Sequence, residues 1–189
     1  MGQFIELIGS TIIAGFIILI IINLNIRMNS TAASFVQSSL NQRNAIAIGQ
    51  ILEYDFYKIG FKAGTNKIFQ ADSGRISFAA SLNNDASIDT ITYYLSSTSN
   101  LANTQNPNDR LLYRRVNQQL SYAGIVTRFY IQYYDSLLNN LTYASLTTQA
   151  NRNRIKVVKA YIRNELANQK DGTYSPVEWQ KEFRPRNLR

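Results

Sequence analysis

The chain has no cysteine and no histidine among its 189 residues. The first absence removes disulfides and thiolate metal sites. The second removes the usual acid–base group near neutral pH and the commonest imidazole ligand. Chemistry would have to rest on carboxylates, lysine, tyrosine or serine, and no Ser-His-Asp set, HExxH, P-loop or GxGxxG occurs. The expectation is therefore no enzyme, no catalytic residue, no cofactor-binding residue and no metal residue. Proline is scarce as well, with three in all and none before Pro107. Nothing in the first hundred residues forces a helix to break by ring geometry. Charged residues make up only 17%.

What fills the space is a long apolar opening. From Phe4 to Ile22 nearly every residue is apolar: Phe4, Ile5, Leu7, Ile8, Ile12, Ile13 and Phe16, then the run Ile17–Ile22. At 1.5 Å per residue this helix is about 28 Å long, enough to cross a hydrocarbon core. A cleaved secretory signal would carry a basic n-region and a small-x-small site after the run. Here Asn23-Leu24-Asn25-Ile26-Arg27 follows instead, so the segment is expected to be retained. A core helix of a soluble protein would keep a polar stripe, and isoleucine covers every face. Gly9 and Gly15 permit close helix approach without forming a GxxxG. Within the run stands one acid, Glu6, with no basic residue before Arg27. A carboxylate in such a segment costs about 2.5–3.5 kcal/mol on insertion scales. It is expected to be paired or functional, and its place suggests an N-terminal amine as partner.

The helical pattern continues. Phe35, Val36, Leu40, Ile48, Ile51, Leu52, Tyr54, Phe56 and Ile59 recur at steps of three and four, with polar residues between them. One helix from about Phe4 to Ile59 is expected, stopped by Gly60 and Gly64. Glu53 and Asp55, beside Lys58, read as a solvated helix face.

Beyond Phe61 the period becomes two. Strands are expected over Arg75–Ala79, Thr90–Leu95, Gly124–Tyr133 and Arg154–Ile162, with shorter ones at Leu111–Val116 and Ser121–Ala123. Turns are expected at Asn83-Asn84-Asp85, Asn106–Asp109, Asn139-Asn140 and Asp171-Gly172. Asp85 and Asp89 have a calcium-loop flavour, but the glycine and terminal glutamate of an EF-hand are absent, which leaves a polar turn. The organisation expected is a transmembrane segment over residues 1–28, an amphipathic half of the same helix over 29–60, and a globular β domain with a C-terminal tail over 61–189. The fold class is α+β: a long N-terminal helix packed on a mainly antiparallel sheet, with Phe35, Ile48, Leu52, Phe56, Phe129 and Ile131 in the core.

The net charge of +8 is spread along the chain, a pattern that fits a solvated basic surface better than a nucleic-acid site. The tail from Tyr174 mixes Trp179 and Phe183 with Lys181, Arg184, Arg186 and Arg189; docked and loose readings both stand.

The opening Gly2-Gln3-Phe4-Ile5-Glu6-Leu7-Ile8 before an apolar helix resembles the type IV pilin-like N-terminus. Leu52–Phe61, Ile91–Leu95, Leu112–Val116, Phe129–Asp135 and Arg154–Val158 look like W-type minor pilins and J-type minor pseudopilins. Glu6 lies four residues past Gly2, where the family pattern has five. Gln3 stands at the first mature position in place of the usual Phe. The resemblance implies leader cleavage between Gly2 and Gln3 after a shortened leader. It implies Glu6 as the register residue of assembly, and Phe4, Ile5, Leu7, Ile8, Ile12, Ile13 and Phe16 as transmembrane packing residues. The implied place is the inner membrane as a single pass, the domain outside the cytoplasm, then a pilus or pseudopilus. The implied partners are other pilin-like subunits, the inner-membrane assembly platform and membrane lipid. A single-pass anchored binding domain that never polymerises is the alternative.

Overall fold

A computed structural model describes residues 2–167 and 174–189. The Asp171-Gly172 turn expected from the sequence lies outside the described residues. The chain divides into two compact units, Met1–Leu40 and Asn41–Arg189.

The first element is a single helix, α1, Gly2–Tyr57, 56 residues long. It is the one described helix long and apolar enough to cross a membrane. Its end follows from local chemistry. Gly60 sits at φ +76°, a left-handed conformation that glycine adopts without Cβ strain, and its N–H bonds Ala79 O at 2.8 Å. Gly64 is in the loop beyond.

Within the second unit, α1 is followed by eight antiparallel strands. Five form one sheet in sequence order: β1 (Ile68–Ala71), β2 (Arg75–Ala80), β3 (Asp89–Leu95), β4 (Arg110–Val116) and β5 (Gln119–Val126). Three form a second: β6 (Arg128–Tyr134), β7 (Val157–Ala167) and β8 (Tyr174–Phe183). A four-residue helix, α2 (Gln149–Arg152), precedes β7. The α+β class expected from the sequence is thus present, with two sheets.

Three differences from the expected elements have physical causes. The run Gly124–Tyr133 is two strands, because Thr127 turns both its N–H and its Oγ1 to Arg163 O, at 2.8 and 2.9 Å. That pairing moves the chain from the first sheet into the second. Ile125 is accordingly exposed, while Phe129, Ile131 and Tyr133 are buried. The tail is a strand: β8 pairs with β7 from Val158↔Phe183 to Ala167↔Tyr174. β1 was not expected; it is short and pairs Ile68 with Phe78 across a register shift.

One cluster of buried side chains draws on α1 and on both sheets. Phe56 is its hub, with edge contacts to Phe78 at 5.8 Å, Tyr93 at 5.6 Å and Phe183 at 5.1 Å between ring centroids. Ile48, Leu52, Phe129 and Ile131 are buried as expected. Phe35 is not: it is 74% exposed, and Val36 and Leu40 are also exposed. The buried stretch of α1 begins at Asn41.

Candidate functional site: the N-terminal helix

In the first unit every expected packing residue lies on the helix surface. Phe4, Ile5, Leu7, Ile8, Ile12, Ile13 and Phe16 are all exposed, as are Gly2, Gln3 and Glu6. No polar stripe interrupts them, so the segment offers apolar surface on all sides.

Three uncharged polar residues in this stretch are disarmed locally. Ser10 Oγ donates to Leu7 O at 2.9 Å, Thr11 Oγ1 to Ile8 O at 2.9 Å, and Asn23 Nδ2 to Leu19 O at 3.1 Å. Returning a donor to the preceding turn lets a polar side chain enter hydrocarbon with its donor satisfied. Glu6 has no such route. An ionised carboxylate only accepts, and helix carbonyls only accept. The free donors within reach are at the helix start, where the first four N–H groups lack intrahelical partners and the dipole end is positive. The chemistry available to Glu6 is therefore accepting hydrogen bonds or pairing with a positive group.

At the other end of α1 the sequence hid a charged residue. Asp55, read as solvated, is fully buried. Arg114 of β4 grips it in a fork, Nε to Oδ2 at 2.6 Å and Nη2 to Oδ1 at 3.0 Å. Tyr93 OH of β3 donates to the same Oδ2 at 2.6 Å. Three hydrogen bonds to one carboxylate are what a buried charge requires. Burial first, and the Asp55 charge second, push the Tyr93 hydroxyl well above its ordinary 10.0. The hydrogen bond to Asp55 holds the Arg114 guanidinium more firmly protonated than usual. Neighbouring Glu53 faces outward and pairs with Lys181 at 2.7 Å.

Two glycines mark where strands approach α1. A Cβ on Gly49 would lie 2.6 Å from the Trp179 ring, and one on Gly124 would lie 2.5 Å from Ile48 Cδ1. Neither was singled out in the sequence. Asp85 accepts from Ser87 N and Oγ at 3.0 and 2.6 Å, which places it in a polar turn. Asp135 accepts from Leu137 N and Asn139 N and closes the turn after β6.

No family model matches the chain, and no curated protein and no solved structure matches it.

Proposed function

We propose that the chain is a non-enzymatic minor pilin or pseudopilin subunit. It joins a type IV pilus or a type II secretion pseudopilus, at or near the tip, through its N-terminal helix. One observation carries the reading. A single helix, Gly2–Tyr57, is apolar and exposed on every side in its first unit, holds Glu6 one turn from its start, and gives its last turns to the core of a β domain.

The physics of such a subunit is an exchange of environments. In the inner membrane the first part of α1 is covered by lipid, with the domain outside the cytoplasm. The amphipathic part of the helix packs on the sheets and carries the domain. On assembly by the membrane platform, lipid is replaced by the helices of neighbouring subunits, so the apolar surface stays covered. The cost of the Glu6 charge is offset by a neighbour's amine, which also sets axial register. An anchor that never polymerises accounts for the apolar surface but assigns no role to Glu6.

The test compares Glu6→Ala and Glu6→Gln with wild type. Membrane insertion and domain stability should be unchanged, since Glu6 is outside the unit that forms the core. Incorporation into filaments, and recovery of neighbouring subunits by cross-linking, should fall in both variants. Gln should be nearly as defective as Ala if charge is the cause. Wild-type incorporation of Glu6→Ala would overturn the register role of Glu6, and failure of the wild-type chain itself to enter filaments would overturn the filament reading and favour the anchored domain.

A further inference from the structure

Four strands stand at sheet edges: β1, β5, β6 and β8. An edge strand exposes unpaired backbone groups, and proteins guard such edges with charge, proline, short length or a covering segment. Three of the four are guarded here. β1 has four residues, and its Ile68 O is taken by Gln149 Nε2 at 3.0 Å and Arg152 Nε at 3.3 Å. On β6, Ile131 N donates to Ser73 O at 2.7 Å, Ile131 O accepts from Tyr143 OH at 2.8 Å, and Tyr133 O accepts from Leu141 N at 2.8 Å. β8 carries Pro176, Glu178, Lys181 and Glu182.

β5 has none of these devices. Its eight residues, Gln-Leu-Ser-Tyr-Ala-Gly-Ile-Val, include no charge and no proline. Leu120 and Tyr122 are 55% and 68% exposed. A bulge at Ala123, between the pairs Leu112↔Gly124 and Tyr113↔Tyr122, bends the second half of β5, and Gln119–Tyr122 before it are regularly paired. Among the described residues no backbone bond from Gln119–Val126 goes to anything but β4. Beside this edge lies a groove of about 600 Å³ between β5 and the flank of α1, lined by Ile51, Tyr54, Arg114, Ser121, Tyr122 and Ala123.

Along β4, β5 and β6 the charged residues have one sign. From Arg110 to Tyr134 the sequence holds four arginines and no acid. Arg114 and Arg115 stand opposite Ser121 and Leu120 on the neighbouring strand. Asp55 and Arg114 neutralise each other, whereas Arg110, Arg115 and Arg128 make no ion pair among the described residues. A second copy would set these arginines against their own kind on a chain of net charge +8. A segment with carboxylates between apolar residues would meet both the charge and the apolar side chains.

We infer that the first half of β5 is a docking edge for an extended acidic strand of a different polypeptide, added alongside Gln119–Tyr122 with its apolar side chains against Leu120 and Tyr122. Backbone hydrogen bonds supply the attachment in this mode, and alternate side chains supply selectivity. The inference goes beyond the filament reading and holds equally for an anchored chain that never polymerises.

The test uses the full chain in detergent micelles and three synthetic peptides that alternate valine with glutamate, glutamine or lysine. Amide hydrogen exchange over Gln119–Tyr122 is read with and without each peptide. The glutamate peptide should slow exchange there by about tenfold or more, and the lysine peptide should leave it unchanged. Leu120→Glu and Tyr122→Glu change exposed side chains and should abolish the protection while the core amides of β3 stay slow. Protection elsewhere only, or by none of the peptides, or equally by all three, would overturn the proposal. Protection without peptide that rises with protein concentration would identify a second copy as the occupant and also overturn it.

Discussion

The two parts of α1 are written in the same apolar residues and bury them to opposite extents. In the first unit sixteen large apolar side chains between Phe4 and Met28 are exposed. In the second, Ala45, Ile48, Leu52 and Phe56 are all but fully buried, while Ile46, Ile51 and Tyr54 on the other faces stay exposed. Density and arrangement of the apolar residues both separate them. Isoleucine on every face cannot be covered by one sheet, whereas a stripe at steps of three and four can. At about 1.5–3 kcal/mol for each large side chain, the first unit leaves roughly 25–45 kcal/mol of burial unused in water. The insertion cost of Glu6 is about a tenth of that. One acid therefore does not keep this helix out of lipid, though it can decide what the helix does next.

The contrast is broken most directly by truncating one aromatic in each part. Phe56→Ala removes the hub of the core and should cost about 3–5 kcal/mol. Phe16→Ala should leave the stability of the domain unchanged. Urea unfolding of the full chain in micelles can follow Trp179, the single tryptophan, whose ring lies against Gly49 of α1. Equal effects at the two sites would remove the distinction between the parts.

A smaller effect is expected at Asp55. Asp55→Ala leaves Arg114 and the Tyr93 hydroxyl without their acceptor. Removing one partner of a fully buried pair costs about 3–5 kcal/mol. The Arg114 side chain is 23% exposed and can hydrate, so the expected loss is lower, about 2–3 kcal/mol. The same unfolding measurement reads it, and a loss below that of an ordinary surface substitution would show that the fork does not hold α1 in the domain.

The smallest effect is alkaline. Tyr93 and Tyr133 are both held well above 10.0, chiefly by burial. Each proton stays on in the folded state and leaves the unfolded chain near its ordinary value. The stability they contribute is thus complete below pH 10 and declines as pH rises from there toward their folded values, by about 1 kcal/mol per tyrosine at pH 11. Unfolding midpoints between pH 8 and 11 test this. No tyrosine lies in the first unit, so its helicity in micelles should not follow the same curve.

How much of this was legible follows from how far apart the interacting residues lie. The helix and β2, β3 and β4 declare themselves through local periods of 3.6 and 2. Asp55 does not: its partner Arg114 is 59 residues away, and nothing near Asp55 sets it apart from solvated Glu53. β8 was obscured by Pro176 and by the arginines that follow it, Arg184, Arg186 and Arg189. The signal that reveals it is Val177, Trp179, Lys181 and Phe183 at period two, each less exposed than its neighbours. The division at Thr127 has only a faint sequence mark, a polar residue on the otherwise apolar face of Ile125, Phe129, Ile131 and Tyr133, and the Arg163 carbonyl that draws Thr127 away is 36 residues distant. The stripe of α1 read as starting at Phe35 starts at Asn41, since the same spacing recurs whether or not a sheet is there to meet it. For Glu6 the sequence alone carries the argument: it isolates the acid, and the local hydrogen bonds of Ser10, Thr11 and Asn23 sharpen that isolation.

The absence of cysteine makes one measurement free of background. Single cysteines placed at Ile13, Phe16 or Leu19, and at Gln50 or Tyr54, can be offered a membrane-impermeant maleimide in intact membranes. All five side chains are exposed in the isolated chain, so burial within the protein cannot explain a difference among them. If lipid covers the first part of α1 and water meets the second, the first three positions resist labelling and the last two react until detergent is added. Rapid labelling at Ile13, Phe16 and Leu19 in intact membranes would contradict the division of α1 on which the account rests.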